Sequence, residues 1–297
     1  MSLEKLQVLE AEMIYKAIEY ANNYHKCRVC REKSRVFIMK SLEVMMVLNN
    51  VDADIDLIVA GALLEAFDES IESKNRLRDE FGEKVANLIF GYQGLREVTW
   101  NDRVMAECNR LAEATKREKI LALADIVVKQ RQLYLGYSRT IGDYWSKLDV
   151  PYEASAKYYS NVQDALYDLE FDENLRSLYW EMVNTYKDLF VKYYFDEKQF
   201  CLYQVSADGV KTFKTSDDMA WLKFDDDLPN DVICIPRDLA ERVEDDWDNK
   251  REPVNYDCMN WKMNQYSSLC DQNGEYFYRK TSDFGNQNGK FEITFLK

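Results

Sequence analysis

Histidine is almost absent from this sequence. A single one, His25, occurs among 297 residues. One imidazole excludes multi-histidine metal sites within the chain, and it excludes catalytic triads that do not use His25. The sequence also contains no GxSxG or HExxH motif and no glycine-rich phosphate loop. The common histidine-dependent and phosphate-loop enzyme classes are therefore not indicated.

Basic residues and long apolar runs are also scarce. There are 39 Lys and Arg against 53 Asp and Glu, so the formal net charge is −14. This charge argues against general binding to nucleic acid or to anionic membranes, because both need basic surfaces. No apolar run approaches the length of a membrane span, and the first residues predict an amphipathic helix rather than a signal peptide.

The cysteines point to the compartment. Seven of them are spread along the chain, which is an odd number. Free thiols in a reducing compartment are the simplest interpretation, and we expect a cytoplasmic location.

The length of the chain suits two domains. Apolar residues at three- and four-residue steps predict a mainly α-helical N-terminal domain over residues 1–195. The predicted helices cover about residues 3–24, 34–48, 55–64, 85–91, 104–134, 154–169 and 173–194. The third of these helices is predicted to continue into an acidic cluster. The last two are rich in Tyr and Trp, which suits either a ligand-stacking surface or helix packing.

The composition changes near Phe195, and a small acidic α+β domain is predicted over 196–297. Residues 200–205 and 210–215 form a predicted hairpin with Gly209 in the turn. Further strands are predicted over 218–224, 232–235, 275–279 and 291–296, with a helix from Pro236 to about 249 and an irregular segment over 255–274.

Two stretches of the N-terminal domain place acidic groups in apolar surroundings. Residues 59–70 form a predicted buried helix that turns abruptly acidic, and Asp125 interrupts the apolar run of residues 120–128. A buried, isolated carboxylate is costly, so Asp125 should have a cationic or hydrogen-bonding partner.

The order of several segments resembles the HD domain of RelA/SpoT-type (p)ppGpp hydrolases, over roughly residues 8–135. A helix leads to His25, residues 38–44 (Ile-Met-Lys-Ser-Leu-Glu-Val) look like the His-Pro-Leu-Glu-Val segment, and residues 62–70 look like the segment that ends Leu-Leu-His-Asp. Phe81-Gly82-Glu-Lys-Val85 matches the next helix start, and Leu121-Ala-Leu-Ala-Asp125 matches the segment that supplies the last metal ligand. The resemblance implies an α-helical fold and descent from manganese-dependent phosphohydrolases.

The metal-binding residues of that family are largely replaced. Lys40 stands where a ligating histidine is expected, and the His-Asp pair has become Glu65-Ala66. Asp125 is the unchanged ligand position, whereas His25 matches a position that is not a ligand. The resemblance therefore outlines a remnant pocket, which consists of Lys40, Glu65, Ala66, Asp68, Glu69 and Asp125.

Two interpretations of this pocket are open. In the first, the Lys40 ammonium replaces the metal ion beside Glu65 and Asp125, no cofactor is needed, and Lys40→Met should cost about 3–5 kcal/mol because Asp125 loses its partner. In the second, Glu65, Asp68 and Asp125 hold Mg²⁺ or Mn²⁺ in a carboxylate-only site, with Glu65 and Asp68 or Glu69 on one helix face.

A nucleotide pocket would also need basic side chains near its phosphates. The resemblance suggests Arg28, Arg31, Lys33 and Arg35, although a basic surface loop is an equal interpretation.

These patterns favour a catalytically degenerate HD-domain protein that binds a guanosine nucleotide or alarmone, or a protein partner. The alternative is a divergent metal-dependent phosphohydrolase. Catalytic residues cannot be assigned from the sequence.

Overall fold

The computed structural model describes residues 3–27, 34–67, 70–92, 100–139, 144–148, 150–196, 198–230, 232–250, 266–270 and 276–280. The α-helices of this part of the chain are α1 (Leu3–Cys27), α2 (Ser34–Asn50), α3 (Ile55–Leu63), α4 (Ile71–Phe81), α5 (Glu83–Tyr92), α6 (Trp100–Glu113), α7 (Lys116–Arg139), α8 (Tyr152–Ala165), α9 (Arg176–Phe190) and α10 (Arg237–Lys250). The strands are β1 (Val191–Asp196), β2 (Cys201–Ser206), β3 (Lys211–Thr215), β4 (Leu222–Lys223), β5 (Ile233–Ile235), β6 (Tyr266–Cys270) and β7 (Tyr276–Lys280). The predicted fold class, a helical N-terminal region followed by a small α+β region, is confirmed.

The chain divides into two compact units. The first comprises Met1–Arg139 and Tyr158–Thr185, and the second comprises Thr140–Lys157 and Tyr186–Lys297. The division falls inside α8 and α9. The boundary between residues 195 and 196 stays a prediction, since only independent folding of the two parts would test it.

Helix α3 lies at the centre of the first unit. Its residues from Leu57 to Leu63 are all buried, and it packs against α1, α2, α5 and α7. Asp54 caps its N-terminus by accepting hydrogen bonds from the backbone N–H groups of Asp56 and Leu57. A helix that is apolar on every side can be stable only when neighbours cover it, so the sequence 57–63 dictates this central position.

Helix α7 supplies the second buried segment of the unit. Residues from Leu121 to Val128 are buried, as the apolar run predicts, and they include Asp125. Two short 3₁₀ turns, Trp145–Lys147 and Tyr167–Phe171, lie among the later helices.

The Tyr-rich and Trp-rich helices use most of their rings for packing. Tyr158, Tyr159, Tyr179 and Tyr186 are buried, whereas Trp180 is partly exposed. Of the two uses considered for these rings, packing is the one that their burial supports.

The second unit is built on a five-stranded antiparallel sheet with the order β4-β3-β2-β1-β5. The predicted hairpin is β2–β3, and Gly209 has the positive φ of +93° that its turn requires. One core of the unit is formed where α10 covers the sheet, with Val243 and Trp247 against Phe195 and Leu202.

A buried ion pair joins α10 to the sheet. The Lys214 ammonium on β3 donates to Asp248 and Glu244 at 2.8 and 3.0 Å. Burial opposes the charge of Lys214, but these hydrogen bonds outweigh that effect and raise the pKa of its ammonium. The acidic face of α10 therefore neutralises a lysine inside the unit.

Several predicted elements differ from the structure. The apolar spacing predicts no helix over residues 71–80, but residues 71–81 form α4, which Ser70 caps by accepting a hydrogen bond from the Ser73 N–H. The helix predicted to reach Tyr194 ends at Phe190, since residues 191–196 pair with two strands as β1. Residues 266–270, expected as irregular, form a strand paired with β7. The strand predicted over 291–296 lies outside the described residues.

None of the described helices has the combination of length and hydropathy needed to cross a membrane.

Candidate functional site

The Lys40 ammonium lies between two carboxylates. Lys40 is on α2, and its side chain is only 10% exposed. Its Nζ donates to Glu65 Oε1 at 2.5 Å and lies 3.0 Å from Asp125 Oδ1. The structure therefore brings together three residues of the predicted remnant pocket, from α2, the turn after α3 and α7.

Asp125 has a second cationic partner that the sequence analysis missed. The Lys129 ammonium, one helical turn further along α7, lies 2.7 Å from Asp125 Oδ2. Each oxygen of a carboxylate that is 2% exposed thus faces its own ammonium. The i, i+4 spacing of Asp125 and Lys129 was a signal that could have revealed this pair.

Glu65 lies outside the helix in which it was expected. Helix α3 ends at Leu63, and Glu65 belongs to the turn that follows. The expectation that Glu65 shares a helix face with Asp68 or Glu69 therefore rested on a wrong helix end. The Ala66 N–H donates to Leu63 O at 2.9 Å and closes this turn, and Ala66 is completely buried.

The remaining predicted site residues cannot be placed. Asp68, Glu69, Arg28, Arg31 and Lys33 lie outside the described residues. Arg35 belongs to α2, but only its backbone position is described. Their roles as metal ligands or phosphate contacts stay predictions.

The charges of the described pocket cancel. Two ammoniums, Lys40 and Lys129, face two carboxylates, Glu65 and Asp125. In a low-dielectric interior such compensation is what allows charged side chains to remain ionised. In the described part of the chain, no group of three or more His, Cys, Asp or Glu residues is arranged to hold a metal ion.

A buried tyrosine extends the polar network on the Lys129 side. The Tyr158 hydroxyl on α8 donates to Glu107 Oε1 on α6 at 2.9 Å. Burial, together with the negative charge of Glu107, raises the pKa of Tyr158 well above its usual value, while the positive charge of Lys129 acts in the opposite direction. No sequence motif marks this contact, because its partners are 51 residues apart.

His25 is also buried, near the end of α1. Its ring packs edge-on against Tyr24, with centroids 5.7 Å apart.

Comparison with known proteins identifies the helical region. Residues 17–129 match the family model described as HD domain. This segment carries an HD-type fold. We call it the HD region. It contains Lys40, Glu65 and Asp125, so all three belong to the segment that matches the family model.

Part of this chain is also similar to part of a curated plant protein. Over 138 residues, or 44% of this chain, it is 27% identical to the Arabidopsis thaliana protein described as probable GTP diphosphokinase RSH3, chloroplastic. The similarity spans 19% of that protein's length. The resemblance to RelA/SpoT-type proteins that the sequence indicated is confirmed for this part of the chain.

Two solved structures are also similar. One is lmo0812 from Listeria monocytogenes, with a TM-score of 0.46, 19% identity, and coverage of 50% of this chain and 96% of the other. The second is a metazoan SpoT orthologue described as hydrolysing ppGpp, with a TM-score of 0.48, 15% identity, and coverage of 59% and 94%.

Proposed function

We propose that the HD region is a pseudohydrolase domain, which binds a guanosine nucleotide without hydrolysing it and folds without a metal ion. The observation that carries this proposal is the Lys40 ammonium between Glu65 and Asp125, at 2.5 and 3.0 Å. In this arrangement a covalently attached positive charge stands where the family resemblance implies a metal ion.

The residues present do not fit the manganese ion that the resemblance implies. An ion ligated by Asp125 or Glu65 would lie next to the Lys40 ammonium and would be repelled by it. It would also have to replace ammonium groups that already contact both oxygens of Asp125. In the family's reaction the metal ion lowers the pKa of the attacking water, and among the described residues of this pocket an ammonium takes the place of that ion.

Binding of a guanosine nucleotide is supported by the plant relative, whose description names GTP as its substrate. The similarity to that protein covers 44% of this chain and 19% of the relative, so the relative's activity as a whole is not carried over. Lysine ammonium groups are suitable phosphate ligands, and the described pocket contains two of them, Lys40 and Lys129.

The decisive experiment measures turnover and metal content together. The purified chain should release no phosphate or pyrophosphate from a panel of guanosine nucleotides, including (p)ppGpp, with Mn²⁺ or Mg²⁺ present. It should contain no stoichiometric transition metal after exhaustive dialysis. Calorimetric titration with the same nucleotides should give saturable heat.

A matched variant makes the negative result informative. Lys40→His, Glu65→His and Ala66→Asp together restore the ligand types of the family beside Asp125, and this variant should gain measurable Mn²⁺ affinity. Metal-dependent turnover by the unmodified chain that is lost in Glu65→Ala would refute the proposal and favour a carboxylate-only phosphohydrolase.

A further inference from the structure

The two carboxylates around Lys40 differ in their access to solvent. The side chain of Asp125 is 2% exposed, whereas that of Glu65 is 33% exposed. Glu65 therefore lies on the solvent side of the ammonium, and Asp125 lies on the interior side.

Glu65 also differs from Asp125 in the element that carries it, although its contact with Lys40 is the shorter one, at 2.5 Å against 3.0 Å. It is contributed by the turn after α3, whereas Asp125 lies within the buried part of α7. Because the Glu65 side chain is 33% exposed, rotation about its own torsions can carry the carboxylate toward solvent while its buried neighbours Ala66 and Phe67 stay in place. Movement of Glu65 would leave the rest of the cluster in place.

Removal of Glu65 would change the charge balance of the cluster. The Lys40 ammonium would then lose the nearer of its two carboxylate contacts and would share Asp125 with Lys129. A 10% exposed ammonium that loses a carboxylate is less well stabilised, so it would attract another anion into the position of Glu65. A phosphate oxygen accepts a stronger hydrogen bond from a lysine ammonium than water does, and phosphate carries the negative charge that would replace the Glu65 carboxylate.

We infer that Glu65 is an internal competitor for a phosphate-binding site at Lys40. In the structure its carboxylate occupies the place that a phosphate group takes when ligand binds, and binding displaces Glu65 toward solvent. Lys40 supplies the direct contact, while Lys129 neutralises Asp125 and so keeps Lys40 available for the ligand. This inference rests on the proposed function, because a metal ion at this position would eliminate the anion site.

Inorganic pyrophosphate in the presence of a metal chelator is the direct probe. Titration calorimetry on the full chain should show that Glu65→Gln binds pyrophosphate at least about fivefold more tightly than the unmodified protein, since a competing ion pair is lost. Lys40→Gln in the Glu65→Gln background should abolish that gain. Circular dichroism would establish that each variant is folded.

The chain provides a matched control pair. Lys119 is also a 10% exposed lysine, and its ammonium lies 2.8 Å from the 59% exposed carboxylate of Asp168. Asp168→Asn should leave pyrophosphate affinity unchanged if binding is specific to Lys40. An equal gain in Asp168→Asn would overturn the inference, because it would mean that any unpaired lysine suffices.

Two further outcomes bear on the site. If Glu65→Gln binds pyrophosphate no more tightly than the unmodified chain, the inference is wrong, even when turnover remains absent and the proposed pseudohydrolase function stands. If the double variant Lys40→Gln/Glu65→Gln does not fold, Lys129→Gln is combined with Glu65→Gln instead. This variant should bind pyrophosphate less tightly than Glu65→Gln alone, and an undiminished affinity would also contradict the inference.

A parallel titration with guanosine diphosphate distinguishes the source of the phosphate. If guanosine diphosphate binds more tightly than pyrophosphate, the ligand of this site is a nucleotide. If the two bind equally tightly, the site recognises the phosphate groups alone. Both results require the same dependence on Glu65 and Lys40.

Discussion

Asp125 has two lysine partners, and this changes the energetic role of Lys40. With Lys40 as the only partner, its removal would leave a buried carboxylate uncompensated, at about 3–5 kcal/mol. Lys129 contacts the other oxygen at 2.7 Å, so Asp125 retains one ammonium when either lysine is removed. The cost of losing one lysine should therefore be smaller than the sequence alone predicts.

A double-mutant cycle tests this shared compensation. Lys40→Met should lower the free energy of unfolding by about 2 kcal/mol, and Lys129→Met by about 1 kcal/mol because it is more exposed. The double variant should lose more than the sum, since Asp125 then has neither ammonium. Urea unfolding measures all three values.

Lys84 offers a control for the cycle. It is 78% exposed and lies 4.0 Å from Asp56, so Lys84→Met should change stability by less than about 0.5 kcal/mol. Strict additivity of Lys40→Met and Lys129→Met would show that the two lysines do not compensate the same charge.

Tyr158 makes the stability of the first unit sensitive to alkaline pH. Its pKa is raised well above the usual value of 10.0, first by burial, so the folded state keeps the phenol neutral. The unfolded chain releases this proton near pH 10, and stability contributed by Tyr158 is present below that pH and is lost as the pH rises above it. Tyr158→Phe should therefore lose less stability than the unmodified protein between about pH 9 and pH 11.

The same substitution has a cost at neutral pH. Tyr158→Phe leaves the Glu107 carboxylate without the hydroxyl that donates to it at 2.9 Å, and should destabilise the fold by about 1 kcal/mol at pH 7. Thermal melts across this pH range measure both effects, and parallel pH profiles for the two proteins would contradict the assignment.

At the scale of elements, α2 and α3 approach closely at Gly61. A Cβ at this position would lie 2.6 Å from Leu48 Cδ1 and 3.2 Å from Val44 Cγ1. Leu48 and Val44 are themselves buried, so neither can move into solvent. Glycine at residue 61 is therefore required by the packing of the two helices that carry Lys40 and lead to Glu65.

Gly61→Ala tests this close approach. Overpacking should outweigh the gain in helix propensity, for a net loss of about 1–2 kcal/mol, and Gly61→Val should cost more. Gly91 in α5 is the control, because a Cβ there meets the end of the flexible Glu118 side chain. Gly91→Ala should cost less than Gly61→Ala in urea unfolding, and the reverse order would refute the packing argument.

At the scale of the whole molecule, charge is the dominant feature. The formal net charge of −14 produces repulsion that opposes the folded state, although ion pairs reduce it locally. Salt screens this repulsion over the Debye length, which is about 8 Å at physiological ionic strength.

The melting temperature should therefore rise by a few degrees between about 10 mM and 150 mM NaCl. Melting curves in a series of neutral osmolyte solutions of matched viscosity serve as the control. They separate the screening of charge by salt from the general effect of a solute that is excluded from the protein surface. A fall in melting temperature with salt would mean that the ion pairs, rather than the excess negative charge, control stability.

The sequence by itself determined the helical N-terminal region, the hairpin β2–β3 and the resemblance to an HD domain. These follow from local regularities: the spacing of apolar residues, the turn glycine Gly209, and the order of short segments along the chain. The apolar run around Asp125 also required a polar partner for that carboxylate, whatever the fold.

Only the tertiary structure decided which groups meet. The end of α3 at Leu63, which places Glu65 in a turn, depends on packing rather than on helix propensity. The pairing of Lys40 with Glu65 and Asp125 spans 25 residues in one case and 85 in the other, and no local pattern specifies such distances. The exposure of Glu65 relative to Asp125, which suggests a displaceable carboxylate, exists only after α2, α3 and α7 have packed, because burial is a property of the assembled helices.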